Sequence, residues 1–423
     1  MGNISPHTYE DIISGYKGPK RKRYEQAYEA LQADGILNKD FIYRAFVKFE
    51  QLKGSRFNRP PRIIQFSSFK IILFCMRYVK AIEAKFPELR DFTGTSMFFK
   101  GMNQQLRAET MLRKWACFND PVAVMGDGKH WDVNVTPRQL MVKHQLYRWV
   151  IRDEEFHSVC AKELKTRVRT RLGVAAQYTG NVRSGSADTG AGNSLLAVIM
   201  LLDYFKGVGI TRYAIADDGD DFHIYVERSD LNTVITTIVE RFALYGHELK
   251  LEGVADCIHQ IDFCQSRLVH TIAGPVMVRD PRKVLSNALC TNKFKTPKAM
   301  QRFVRSVGEC ELSLNHGVPI LQAFALALLR NTPDVRPLPP WEVEAFQHRV
   351  WSLNRDSGPG EITNEARDSF DLAFGIPREE QERIERALGN WEICFEAPMC
   401  GGEDLSPSSW TQSYGPETFF PTL

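Results

Sequence analysis

Strict alternation opens the stretch "KTRVRTRLGVAAQYTGNVRSG" (165–185), with Arg167, Arg169 and Arg171 on one side and Val168 and Thr170 on the other. Period two predicts a strand with one basic face. The run "PVAVM" (121–125) reads as a buried strand ending near residue 126, followed by a turn and by a helix. Thr136 is placed to cap that helix, with Pro137 at its first position. Apolar residues at Leu140, Met141, Leu146, Trp149 and Val150 predict its buried face. "AIADDGDDFHIYV" (214–226) is an apolar strand, an Asp-Gly-Asp turn and a second apolar strand, which predicts a hairpin. A glycine-rich loop passing into an apolar helix is expected over 184–205, and a capped amphipathic helix from about Ser229 to Tyr245, stopped by Gly246. Upstream, a basic patch (16–31) runs into a helical pattern, and 46–68 reads as strand, basic loop and strand. Helical segments follow to about Asn119; beyond roughly 276 the chain is mostly helical, with a Pro-rich break at 332–340 and a polar tail after Met399.

A chain of 423 residues, 43% hydrophobic and 25% charged, is long enough for two or three domains with large cores. A net charge of only +3 means that any surface for nucleic acid must come from local clustering. Nine cysteines without a CxxC pair argue against a disulfide framework and for a reducing compartment. Cys257, His259 and Cys264 lack a fourth metal ligand and read as strand packing. The N-terminus has no apolar signal core, and Pro6 stands where a myristoylation signal needs Ser or Thr. The longest apolar run, 195–202, is far short of the ~20 residues of a membrane span. The expectation is a chain that is soluble by itself.

The costly feature is "DDGDD" (217–221), which crowds four carboxylates into five residues. Adjacent like charges push one pKa up unless something neutralises them. Read alone, the stretch is a solvated turn of ordinary turn residues. A strand-borne acid pair plus a distant third acid is, however, what two-metal phosphoryl transfer requires: two divalent ions roughly 3.5–4 Å apart serve the attacking and leaving oxygens. Asp220 and Asp221 are the candidate pair. Asp127 is the candidate third acid, because Gly126 and Gly128 flank it as though something approaches the backbone closely.

Three stretches in order carry more than any one of them: Asp127-x4-Asp132, then Ser184-Gly185-xxx-Thr189-xxx-Asn193, then Gly219-Asp220-Asp221. They resemble motifs A, B and C of viral RNA-dependent RNA polymerases. The segments "AFVKFEQ", "RPPRIIQ", "FKGMNQQLR", "RKWACFNDPVAV", "DFCQSRLVHTIAGPVMVRDPRKVLS" and "ITNEARDSFDLAFGI" extend the resemblance, to tombusvirus-type polymerases, over about residues 15–390. It implies an α+β right-hand fold: fingers (1–120), a palm of antiparallel sheet flanked by helices (121–275, with a fingers insertion at about 150–180), and a mostly helical thumb with the C-terminal tail (276–423).

The resemblance also implies roles. Asp127, Asp220 and Asp221 would hold Mg²⁺, with Mn²⁺ as a substitute. Asp132 would sense the ribose 2′-hydroxyl, with Asn193, Ser184 and Thr189 as partners, since a site built to pair a hydroxyl rejects a sugar lacking it. Lys48 and Arg62, joined by Lys53, Arg56 and Arg59, would face the NTP triphosphate, and Lys250 would protonate the pyrophosphate. Arg167, Arg169 and Arg171 with Lys20 and Arg21 would follow phosphates of template and product RNA. The sequence departs from the family pattern at Ser186-Ala187-Asp188, where Asp-x-Asn is frequent, at Asp217-Asp218, where Asn-Asn is common, and at Trp131, where Phe is usual. The implied setting is the host cytoplasm at membrane-bound replication sites. The anchor would come from a viral partner protein or an upstream fused region, so that host membrane is contacted indirectly. A reverse transcriptase and an RNA-binding subunit with a dead site are the rival readings.

Overall fold

A computed structural model describes residues 3–48, 60–291, 294, 296–339, 342 and 358–395. In chain order the helices begin with α1 (Tyr9–Ser14), α2 (Gly18–Asp34), α3 (Phe69–Glu83), α4 (Gln104–Trp115), α5 (Trp131–Asn134), α6 (Pro137–Val150) and α7 (Glu154–Ala161). They continue with α8 (Thr189–Val208), α9 (Leu231–Leu244), α10 (Pro281–Asn287), α11 (Pro297–Leu314), α12 (Leu321–Arg330), α13 (Asn364–Phe374) and α14 (Arg378–Gly389). The strands are β1 (Ile42–Val47), β2 (Ile63–Phe66), β3 (Pro121–Lys129), β4 (Lys165–Thr170), β5 (Ala175–Thr179), β6 (Tyr213–Asp218), β7 (Asp221–Glu227), β8 (Glu248–Ala255), β9 (Ser266–Thr271) and β10 (Gly274–Arg279). The architecture is mixed α+β, in two units: residues 1–100 with 116–254, and residues 101–115 with 255–423.

The first unit holds a sheet of order β6-β7-β3-β8 and a second of order β2-β1-β4-β5. β3 is a central strand because it is apolar on both faces, with Val122, Ala123 and Val124 all buried. It runs to Lys129, so Asp127 lies within the strand rather than at its end, as the apolar run alone suggested. The glycines beside it are explained by the protein's own rings. A Cβ on Gly126 would sit 2.8 Å from Cζ of Phe222, and one on Gly128 would sit 2.3 Å from Cε3 of buried Trp131. Gly128→Ala is therefore expected to lower stability by about 1–3 kcal/mol through overpacking. A urea midpoint equal to wild type would show that Trp131 has room to move.

The α6 helix corrects one expectation. Thr136 does cap it, in a capping box with Gln139. The buried face, however, is Leu140, Lys143 and Tyr147, while Met141 and Trp149 are 52% and 70% exposed. An apolar stripe was the wrong guide because buried acids meet Lys143 inside. Other expectations also shift. Arg171 lies in the turn after β4, not on the strand, because the alternation continues past the last ladder residue. α9 starts at Leu231 after a short 3₁₀ turn and has no side-chain cap, although Gly246 does end the segment at φ +88°. Cys257, His259 and Cys264 sit around a 3₁₀ turn and a tight bend rather than in strands, and the Arg107 guanidinium donates to Cys264 Sγ at 3.3 Å. At 20 residues, α8 has the length and apolar composition of a membrane span, the one such helix among the described residues. Its buried side chains, Leu196 to Phe205, belong to the core of this unit.

The second unit pairs β9 with β10 as an antiparallel hairpin and packs α10 to α14 around Val307, Leu321, Phe324, Leu328 and Phe370. Inside it the fully buried Glu311 accepts two bonds from Arg279, at 2.5 and 2.6 Å, so that its burial is compensated.

Candidate active site

Three acids line up across neighbouring strands: Asp127 of β3 is opposite Asp221 of β7, and Asp221 is opposite Asp218 of β6. The turn that makes this possible is Gly219-Asp220, where Gly219 takes φ +93°, a conformation that suits glycine. Gly128 N–H donates to the Asp220 carbonyl at 3.0 Å and ties that turn to β3. Asp220 is on the exposed side of the turn. Even so, burial raises its carboxyl above the ordinary range, with Asp132 and Asp218 adding to the rise and its own amide and Arg62 opposing it. Burial likewise raises Asp127, helped by the charges of Glu252 and Asp220 and opposed by Lys250 and Lys129.

Such a cluster is unfavourable as it stands, and the donor set indicates what would relieve it. All the donors are carboxylate oxygens, which suit hard divalent cations rather than zinc or copper. Among the described residues no three His, Cys, Asp or Glu side chains are gathered closely enough to hold a metal ion. The chemistry of the donors fits Mg²⁺.

Next to the acids is a second constellation. Asn193, buried on α8, donates from Nδ2 to Asp132 Oδ1 at 2.7 Å. Burial raises Asp132, while Asn193, Arg62 and Arg183 pull it down. Ser184 is exposed and accepts from Gln65 N–H at 3.4 Å, and Gly185 N–H donates to the Gln65 carbonyl at 2.8 Å. The hydroxyl of Thr189 is spent on the loop itself, donating to the carbonyls of Arg183 (2.7 Å) and Ser186 (3.1 Å).

Lys48 and Arg62 face each other across the ends of β1 and β2, where Lys48 N–H donates to the Arg62 carbonyl at 2.7 Å. Lys53, Arg56 and Arg59 lie outside the described residues. Lys250 is exposed on β8 and paired with Glu252 at 2.9 Å, which raises its ammonium above the ordinary lysine value. Arg167 and Arg169 are exposed on β4, and the parallel register sets Arg44 of β1 beside Arg169. Lys20 lies over the Tyr16 ring at 4.6 Å, and Arg21 pairs with Glu25 at 2.8 Å.

Sequence reasoning missed several of these groups. Arg44 extends the basic face, and Arg183, immediately before Ser184, is buried against Thr166 and over the Tyr178 ring. Their signal was present, as an alternating Arg in a strand and an Arg abutting a motif. Asp188 gave none. It is buried, with Lys143 Nζ at 2.5 Å and the Tyr147 hydroxyl donating at 2.7 Å, so both carboxylate oxygens are occupied inside the protein.

The match of a family model described as "Viral RNA dependent RNA polymerase" runs over residues 1–396. The chain is similar to the RNA-directed RNA polymerases of maize chlorotic mottle virus (28% identity; 95% of this chain and 42% of that protein) and melon necrotic spot virus (28%; 97% and 52%). That of tomato bushy stunt virus is 27% identical over 91% of this chain and 47% of its own length. The chain spans about half the length of such relatives, between 40% and 57%. With nearly all of its own length matched, this chain belongs to the viral RNA-dependent RNA polymerase family, in its tombusvirus-like branch.

Proposed function

We propose that the chain is the polymerase portion of a positive-strand RNA virus replicase, joining NTPs on an RNA template. The observation that supports this most is the convergence of three distant segments. Asp127, the Asp132–Asn193 pair and Asp220 share one electrostatic neighbourhood, with Arg62 acting on Asp132 and Asp220. In this reading β3 and β6 to β8 are the palm of a right-hand fold, taken as 121–275 with an insertion at about 150–180. Residues 1–120 are fingers, and 276–423 the thumb and tail.

Asp127, Asp220 and Asp221 would hold divalent ions, which supply positive charge to the attacking and leaving oxygens when bound. The protein's own groups do the rest. Arg62 offers a fork and Lys48 a point charge to the triphosphate. Asp132 and Asn193, already bonded to one another, present a donor and acceptor pair to the ribose hydroxyl, and a deoxy sugar would leave them unpaired. Ser184 and Thr189 hold the loop in place beside the sugar. Lys250 would have to exchange Glu252 for the pyrophosphate before donating its proton. Arg167, Arg169 and Arg171, with Lys20 and Arg21, follow RNA phosphates in a salt-sensitive way. A membrane anchor would come from a viral partner protein or an upstream fused region, at replication sites in the host cytoplasm.

The test is incorporation of labelled NTPs on a heteropolymeric RNA, with and without primer, in Mg²⁺ or excess chelator. Product of template length and complementary sequence, abolished by chelation, is expected. Preference for dNTPs would instead identify a reverse transcriptase. Salt-sensitive RNA binding without incorporation would identify an RNA-binding subunit with a dead site.

A further inference from the structure

Asp217 and Asp218 are the acids of "DDGDD" that the metal-holding set above leaves unused, and Asp217 is the most deeply buried of the four, at 0% exposure. Its backbone is fixed on two sides. It pairs with Phe222 of β7, its N–H donates to the Met97 carbonyl at 3.0 Å, and its own carbonyl accepts from Phe99 N–H at 2.8 Å. The side chain therefore has little choice of direction. Oδ2 accepts the Gly219 N–H at 3.3 Å, inside the turn that carries Asp220. Oδ1 has no hydrogen-bond partner among the described residues, and neither does the equally buried hydroxyl of Ser194.

Those two unpartnered atoms belong together. Ser194 is near enough to Asp217 to favour its charged form against the burial that drives its carboxyl well up. Ser194 also follows Asn193 directly on α8, and successive helix residues point about 100° apart. One residue of the pair thus reaches Asp132, and its neighbour turns toward Asp217. A buried carboxyl with one weak bond and one bare oxygen costs stability that a Leu would not. Such a group calls for a reason beyond packing.

We propose that Asp217 is a positioning residue for nucleotidyl transfer: its carboxyl holds the Gly219 amide and, through the Ser194 hydroxyl, ties the Asp220 turn to the helix that carries Asn193. Sugar recognition and placement of the Asp220 carboxylate are then set by one polar relay, Asp132–Asn193 and Ser194–Asp217–Gly219. The proposal rests on the polymerase reading. It also accounts for the departure from the family pattern, since a side chain with one acceptor for Gly219 and one group for Ser194 describes Asn as well as Asp.

Four chains decide it: wild type, Asp217→Asn, Asp217→Leu and Ser194→Ala. Each is compared in single-nucleotide incorporation with NTP and dNTP and in thermal unfolding. Asp217→Asn keeps both bonds and is expected within about threefold of wild type, far less than one hydrogen bond is worth to a charged group. Asp217→Leu is expected to unfold no earlier than wild type while kcat falls about tenfold or more, the rate equivalent of one such bond. Ser194→Ala is expected to fold normally and to lower the preference for NTP over dNTP about fivefold, a smaller share of the same bond. Leu at wild-type kcat, or Asn and Leu impaired alike, overturns the proposal. If the Leu chain does not fold, Asn and Ser194→Ala decide by the same criteria, and unchanged sugar preference in Ser194→Ala overturns it. A wild type that incorporates nothing overturns the polymerase reading, and this proposal with it.

Discussion

Asp220→Asn and Asp127→Asn are each expected to cut nucleotide incorporation by on the order of 10²–10³-fold or more, the scale of losing a preorganised charge at the reacting centre. Asp218→Asn should stay within about threefold, although Asp218 pairs directly with Asp221 across the hairpin and has Asp217 and Asp220 within two residues. The contrast follows from where burial and like charge act. Burial raises both carboxyls, and like charge adds to each, from Glu252 and Asp220 on Asp127 and from Asp132 and Asp218 on Asp220, so each needs added positive charge. Groups that act as a unit are also non-additive, so the double Asn variant is expected to be no worse than either single one. Rates from rapid-quench incorporation, with folding checked by circular dichroism, measure all four chains. Equal losses in Asp218→Asn and Asp220→Asn would show that the acid cluster works as a larger cage.

Lys143→Met is expected to be the most destabilising single change in the first unit, by about 3–5 kcal/mol, as befits removal of one partner from a buried ionic group. Lys143 is 2% exposed and bonds Asp188 at 2.5 Å and Glu163 at 3.0 Å. One lysine serves two carboxylates unequally. Burial alone would raise Glu163, yet Lys143 and His144 bring it down to about 2, whereas burial leaves Asp188 above its ordinary value. Without the ammonium both carboxyls would titrate above their unfolded values. A raised carboxyl stabilises below its unfolded pKa and loses that contribution as pH rises. The deficit of Lys143→Met should therefore shrink toward pH 4 and be largest near neutrality. Asp188→Asn should cost less, because Glu163 still answers the lysine. Urea unfolding at pH 4.5 and 7.5 tests the sign, and a deficit independent of pH would mean that the cost is packing alone.

What could be read from residue order was local. The hairpin 213–227 was legible because its strands are apolar and its turn is Gly-Asp, and Thr136 with Pro137 announced the start of α6. The ordered acids and Asn193 were legible as a resemblance, and the fold brings several of them into one region. What escaped notice was long-range. Lys143 meets Asp188 and Glu163 from 45 and 20 residues away, a pairing that no periodicity records. Asp217 and Asp220 look alike in the sequence, yet one is wholly inside and the other at the surface. Gly126 and Gly128 suggested a bound molecule, because a close approach can be inferred from glycine but the approaching group cannot. Here it is an aromatic ring in each case.

The position of β3 between β7 and β8 has a consequence for the nascent chain. Its neighbours are encoded about 100 residues later, beginning at Asp221 and Glu248. At about 5–20 residues per second, a ribosome leaves Val122–Val124 with two open edges for several seconds. Those edges are templates for the wrong strand. Many copies made side by side at high concentration would meet that hazard together, and the carboxylate of Asp127, near the far end of β3, would then act as its charged gatekeeper.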